Sequence, residues 1–501
     1  MSAEHQIAHF LRELGSPDPD RRAAAAKGLG RTGGPEHAAA LVGASDDPDP
    51  RVRAAAAHGL GRLGERQAGP GMLVRLMGDP QPEVRRGASL AALRLGLDDR
   101  SATEAYVRLL RDPDRHLRIN ALTALTALGA PGDPVALVES LGDADPAVWG
   151  RAHSLVYRLR DVPAVRAEVV RTAREGTGAA RARALEMLPA RCTERLLDSL
   201  LAGLRDPSAQ VRTAVVRRLL ATGPGPGPVD DALAVALDGE RDPETAAWLI
   251  VALGRWSDPR ALGPAVRWLG DPVAGPRAAR VLGGIRTEAA AEHLRTALDD
   301  RALPGLTRAA AAVAIGESGA WDAVWRLLPL LDDADAGLRG GVLDGLGTLV
   351  DDGLRPWERH AVAWALAAHL ADGHDVWRTR DALAGLAQAL PAVRRLADRA
   401  SHGEVRAAAL SLLDPDGTAG DLRRFVRGLD DPYEAVRYHA ALGLIRWAET
   451  SPEPLPDTAR VRARLTVLTS DASPRLRRAA ADALDALGPA AGAASGRRPR
   501  P

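Results

Sequence analysis

Apolar positions in this 501-residue chain recur on two scales. On the short scale they follow a helix. Val52, Ala55, Ala56, Gly59, Leu60 and Leu63 fall at offsets 0, 3, 4, 7, 8 and 11, which is one continuous stripe. On the long scale the whole block returns about every 31 residues, as in DPDPRVRAAAAHGLGRLG from Asp47, DPQPEVRRGASLAALRLG from Asp79 and DPDRHLRINALTALTALG from Asp112. Asp-Pro predicts the end of one helix and the cap of the next, because aspartate accepts from free N–H groups and proline has none. The closing Gly64, Gly96 and Gly129 suit a left-handed helix terminus. A second helix then runs to the next Asp-Pro, as in GMLVRLMGD and TEAYVRLLRD. Each unit is a helical hairpin with one face too apolar to stand alone. Stacking buries that face, and the predicted architecture is an all-α solenoid.

The arginine after the branched apolar residue marks the register. It falls at Arg22, Arg53, Arg85, Arg118, Arg181, Arg212, Arg277, Arg308, Arg339, Arg406, Arg437 and Arg477, and three units carry Trp149, Ala247 and Trp377 there instead. The spacing gives about 15 repeats, a single solenoid over residues 1–488, and an aperiodic basic tail over 489–501 that predicts disorder.

The pattern Asp-Pro-x-x-Val-Arg-x-x-Ala-x-x-Ala-Leu-x-x-Leu-Gly resembles HEAT repeats, specifically the short HEAT-like class of bilin lyase subunits in bacteria. The resemblance covers about residues 7 to 488. It implies an internal ladder in which the register arginines bond carboxylates and carbonyls of adjacent units, so they are scaffold rather than phosphate contacts. It also implies that the second helix of each unit lines a concave face, with the residue after the register position pointing there. It does not settle function, because such repeats serve scaffolds, lyase subunits, DNA glycosylases and an iron hydroxylase.

Composition narrows the classes. Hydrophobic residues make up 46 % but aromatics only 3 %, which suits helices packed through Ala and Leu rather than a sheet core. A net charge of +1 supplies no global field toward nucleic acid or an anionic membrane. Lys27 is the single lysine among 66 basic residues, a mark of a GC-rich genome more than of guanidinium chemistry. One cysteine, Cys192, precludes an intrachain disulfide and fits a reducing interior. MSAEHQIAHFLREL reads as an amphipathic helix rather than a leader, and no run reaches the ~20 apolar residues of a bilayer span. The expected location is the cytoplasm.

Function is to be sought where the repeats differ. TGPGPGPVDD, from Thr222 to Asp231, lengthens one junction as a stiff turn or a hinge. The 38-residue gap from Arg339 to Trp377 holds RPWERHAVAWALAAHLADGHDVWRTRDAL, and eight of ten tryptophans lie between Trp248 and Trp377. Indoles there either fill a gap between longer helices or form a binding surface. The expected groove presents Trp248, Asp344, Arg378, Asp381 and Tyr438. A competing enzyme reading gathers Glu358, His360, Trp364 and Trp377 into one pocket near residues 344–381, loosely as in a DNA glycosylase.

Other chemistry is thin. His5 and His9 have a metal-compatible spacing without a third ligand, and the His-Glu order of the hydroxylases is reversed at Glu4-His5, Glu36-His37 and Glu292-His293. No Gly-rich phosphate loop, nucleophile elbow or cysteine pair occurs. The reading is therefore a scaffold or adaptor that binds another protein or peptide, with anchors in the Trp-rich C-terminal half. It assigns no catalytic residue, metal or cofactor, and does not favour nucleic acid.

Overall fold

The computed structural model describes residues 3–64, 69–189, 195–222, 227–255, 259–320, 322–414, 418–450, 455 and 457–488. Cys192, most of the Gly-Pro junction and the 489–501 tail lie outside them. The described residues contain helices and no strand. Fifteen helices carry the fifteen register positions, from Pro19–Thr32 to Pro474–Ala486, and connecting helices such as Pro70–Leu76 and Arg100–Leu109 alternate with them. The chain forms an α-solenoid.

By its internal contacts the chain divides into two compact units, residues 1–236 and 237–501. The first holds seven register helices and the second holds eight.

Local chemistry accounts for the helix ends. The side chains of Asp49, Asp114 and Asp145 accept backbone N–H bonds from Arg51, His116 and Ala147 at 2.8, 2.9 and 2.8 Å. Such a cap contributes about 1 kcal/mol. At the other end Gly64 and Gly129 take left-handed φ of 73° and 63°. There a side chain would be strained.

The predicted stripe is the buried one. Val52, Ala55, Ala56, Gly59, Leu60 and Leu63 are all buried in the Pro50–Leu63 helix. Small residues set how closely the register helices approach. A Cβ on Gly30 would collide with the backbone of Gly59, and one on Gly316 with the backbone of Gly345. Within each unit, most successive register helices pack directly on one another, whereas successive connecting helices mostly touch sparsely. In the first unit the order reverses at Pro146–Arg158 and Gly178–Met187, where the connecting helices Pro134–Glu139 and Pro163–Glu175 make the closer contact. Elsewhere the register helices form the tighter row of each stack.

The arginine ladder is present, with one refinement. Arg53 reaches Asp79 of the next repeat through Nε and Nη2, at 2.8 and 3.1 Å. Its Nη1 donates to the carbonyls of Asp47 and Pro48, at 2.8 and 3.0 Å. Thus the carboxylate comes from the neighbouring unit, but the carbonyls belong to the turn before the arginine's own helix. Arg22, Arg85 and Arg406 repeat the arrangement with Asp47, Asp112 and Asp431. Asp79 also accepts the Gln81 N–H at 2.9 Å, so one carboxylate closes a turn and ties two repeats together. A bidentate, charge-assisted pair of this kind is geometrically selective.

Candidate binding surface

The twelfth, fourteenth and fifteenth register helices, Val376–Leu383, Glu434–Thr450 and Pro474–Ala486, bring several predicted residues onto one face. Trp377 stands where other repeats carry the ladder arginine. It is 39 % exposed, and its ring lies 5.5 Å from that of His439, tilted by 36°. His439 also meets Tyr438 edge-on at 5.2 Å. The Arg475 guanidinium covers the Tyr438 ring at 5.1 Å and bonds Glu434, with Nε 3.0 Å from Oε1. Aromatic side chains held by cation–π and ring contacts offer large contact area with little rotor entropy left to lose.

The charges around this stack are mostly positive. Burial pushes the His439 imidazole down to about 4, and the Arg380, Arg475 and Arg446 guanidiniums push the same way, while Glu434 opposes them. Arg475 holds the Glu434 carboxyl below the usual carboxylate range by hydrogen bonding. Arg380 donates to Ser411 Oγ at 3.1 Å and to Asp381 at 2.8 Å. Sequence reasoning includes Trp377, Arg378, Asp381 and Tyr438 but misses His439, Arg380 and Arg475. The adjacent Tyr438-His439 pair beside a register arginine was the available signal.

The remaining predicted residues do not join this cluster. Trp248 is half-buried on the Pro243–Gly254 helix; its Nε1 donates to Glu244 at 2.9 Å, and Arg277 lies 4.8 Å from its ring centroid. Asp344 is exposed on the Ala336–Asp352 register helix. Glu358, His360 and Trp364 sit on the connecting helix Pro356–Asp372. Glu358 is buried there, and its Oε2 accepts the Arg355 N–H at 2.9 Å. His360 Nδ1 faces the Pro356 carbonyl at 2.9 Å. Trp364 is 77 % exposed. These contacts tie Glu358 and His360 to the backbone at the start of their own helix. A carboxylate at the third helical position is drawn back to free N–H groups, which removes Glu358 from any groove.

The face one position beyond the register residue is also uneven. Ala54 and Ala309 are half-buried there, whereas Ala278 and Gly340 are buried. In the first unit a cleft of about 630 Å³ lies among Val156, Tyr157, Arg160, Val169, Glu186 and Leu188. Within its polar rim, Asp161 is shared between Arg160 and Arg166, at 4.0 and 3.4 Å.

Residues 7–94 and 70–156 match the HEAT repeats family. That stretch holds the first five register positions. No curated protein matches the chain. Among solved structures it is similar to importin beta, at 13 % identity and a TM-score of 0.62, covering 97 % of this chain and 80 % of that one. It is also similar to Kap121p, at 13 % identity and a TM-score of 0.52, covering 97 % of this chain and 66 % of that one. At such identities the shared property is the fold.

Proposed function

We propose that this chain is a scaffold that binds another protein or peptide along its register helices, with Trp377 and Tyr438 as the main anchors. The observation carrying this reading is the Trp377–His439–Tyr438–Arg475 stack. It keeps a large aromatic surface ordered and partly open on the tighter row of helices. Hot spots of protein interfaces are enriched in these residue types. The fold shared with importin beta and Kap121p supports a binding solenoid. The register spacing continues past residue 236 through Ala247 and Arg277, which supports reading residues 1–488 as one solenoid. Its short period supports the bilin-lyase-type class of HEAT-like repeat.

A photo-crosslinking residue at position 411, beside the aromatic stack, tests the reading against the same residue at Lys27 in the first repeat. The expected result is a covalent adduct with a defined protein from position 411 that disappears in W377A/Y438A while helicity is kept. Adducts that persist in that variant would overturn it.

A further inference from the structure

The repeat provides its own reference for which charges are compensated. The residue after the register position is Arg86 in the third repeat, and there the next repeat supplies Asp114 as its ion-pair partner. The twelfth repeat carries Arg378 in the same slot, but the residue equivalent to Asp114 is His402. The Arg378 guanidinium lies instead over Gly340, in space that a Cβ would fill. Arg478 occupies this slot in the fifteenth repeat, and Arg446 projects from the fourteenth register helix, bonding the Leu413 carbonyl at 3.4 Å. All three are exposed, and none forms an ion pair among the described residues. The arginines closer to the stack, Arg380 and Arg475, are matched by Asp381 and Glu434. The excess positive charge therefore rests on Arg378, Arg446 and Arg478, flanking Trp377 and Tyr438.

Resting on the scaffold reading above, we propose that the twelfth to fifteenth register helices bind an extended acidic segment of a partner protein. Its carboxylates engage Arg378, Arg446 and Arg478, and an apolar or aromatic side chain lies against Trp377 and Tyr438. Guanidinium forks pair with carboxylates bidentately, and the indole and phenol rings accept the intervening side chain. Neighbouring helices stand about 9 Å apart, so four of them span roughly 27 Å, or about eight residues of extended chain at ~3.3 Å each. Asp381, Glu434 and Asp482 punctuate the same face and would repel a continuous polyphosphate. A peptide avoids this by placing its carboxylates at intervals. The uncharged state of His439 fits the same picture, since the surrounding guanidiniums disfavour another cation.

The test is selection of short random peptides displayed on phage against the full chain, followed by affinity measurement with fluorescein-labelled winners. The proposal expects Asp/Glu-rich peptides with an aromatic residue, weakened about tenfold or more in R378Q/R446Q/R478Q and in W377A. Winners that need Trp377 but carry no excess of acidic residues would overturn the acidic class and leave the scaffold reading standing. Winners indifferent to Trp377, Tyr438 and the three arginines, or none at all, would overturn both. A single-stranded DNA oligonucleotide that displaces the acidic peptides and binds more tightly would overturn the peptide in favour of nucleic acid. Circular dichroism of each variant separates lost binding from lost folding.

Discussion

Trp377 and His439 stand on register helices two repeats apart, yet their ring centroids are 5.5 Å apart. The register helix between them, Gly403–Ser411, has nine residues and buries Ala407, Ala408 and Ala409 at its centre. Small side chains leave room above it for the indole to reach across. The contact buries the imidazole and helps to hold it neutral down to about 4, against an ordinary value of 6.5. Replacing Trp377 with alanine admits water to His439 and moves its titration upward toward 6.5. The check is the pH dependence of the His439 ring proton by NMR, and an unmoved midpoint would show that the indole does not control this burial.

The same group makes stability depend on pH. Its folded value lies below its unfolded one, so the unfolded chain binds more protons between about 4 and 6.5. The contribution of neutral His439 is complete above 6.5 and is lost as pH falls toward 4. H439Q should flatten this part of the profile of urea midpoints, while the acid limb due to carboxylates remains.

Those carboxylates include the ladder aspartates Asp47, Asp79, Asp431 and Asp471, and Arg53–Asp79 offers a clean pair. Burial alone would raise the Asp79 pKa, but the Arg53 hydrogen bond, the Gln81 N–H and nearby arginine charges outweigh it and hold the group below 3.8. Its stabilising share is therefore present above 3.8 and is lost as pH falls through the lower folded value. D79N should cost about 3 kcal/mol, because it leaves a largely buried guanidinium without its counter-charge. A double-mutant cycle with R53M by urea denaturation should return a coupling of at least about 1 kcal/mol.

The ladder was legible in sequence because it recurs: an arginine stands at twelve of the fifteen register positions, at a spacing near 31 residues. The fold follows from the same redundancy. The site was only partly legible, for two different physical reasons. Glu358 resembles a groove carboxylate, yet Pro356 begins its helix, and a third-position glutamate there bonds back to the Arg355 N–H. That reading was available from local capping rules. The Trp377–His439 contact was not, since it depends on how closely three successive helices pack.

Trp364 separates packing from exposure among the indoles. It is 77 % exposed, and Trp357, two turns earlier on the same connecting helix, is 59 % exposed. W364A should change stability by no more than about 0.5 kcal/mol, as expected away from buried contacts. W377A should cost more, about 1–2 kcal/mol for a ring that is partly buried. Equal losses in thermal unfolding would mean that Trp364 packs against something the exposure does not reveal.

Two glycines predict opposite signs for one substitution. Gly316 lies in the Gly305–Ser318 register helix, where an added Cβ would run into the Gly345 backbone of the next register helix. Backbone cannot swing aside as a side chain can, so G316A must push two packed helices apart, at a cost of about 2 kcal/mol or more. Gly284, in the Gly275–Ile285 register helix, has nothing within 4 Å of the same added atom. Alanine there removes unfolded-chain freedom and improves helix propensity, so G284A should stabilise by about 0.5–1 kcal/mol. Urea midpoints of the two variants against the parent decide the matter. If G316A were neutral, the close approach of register helices would not be set by small residues.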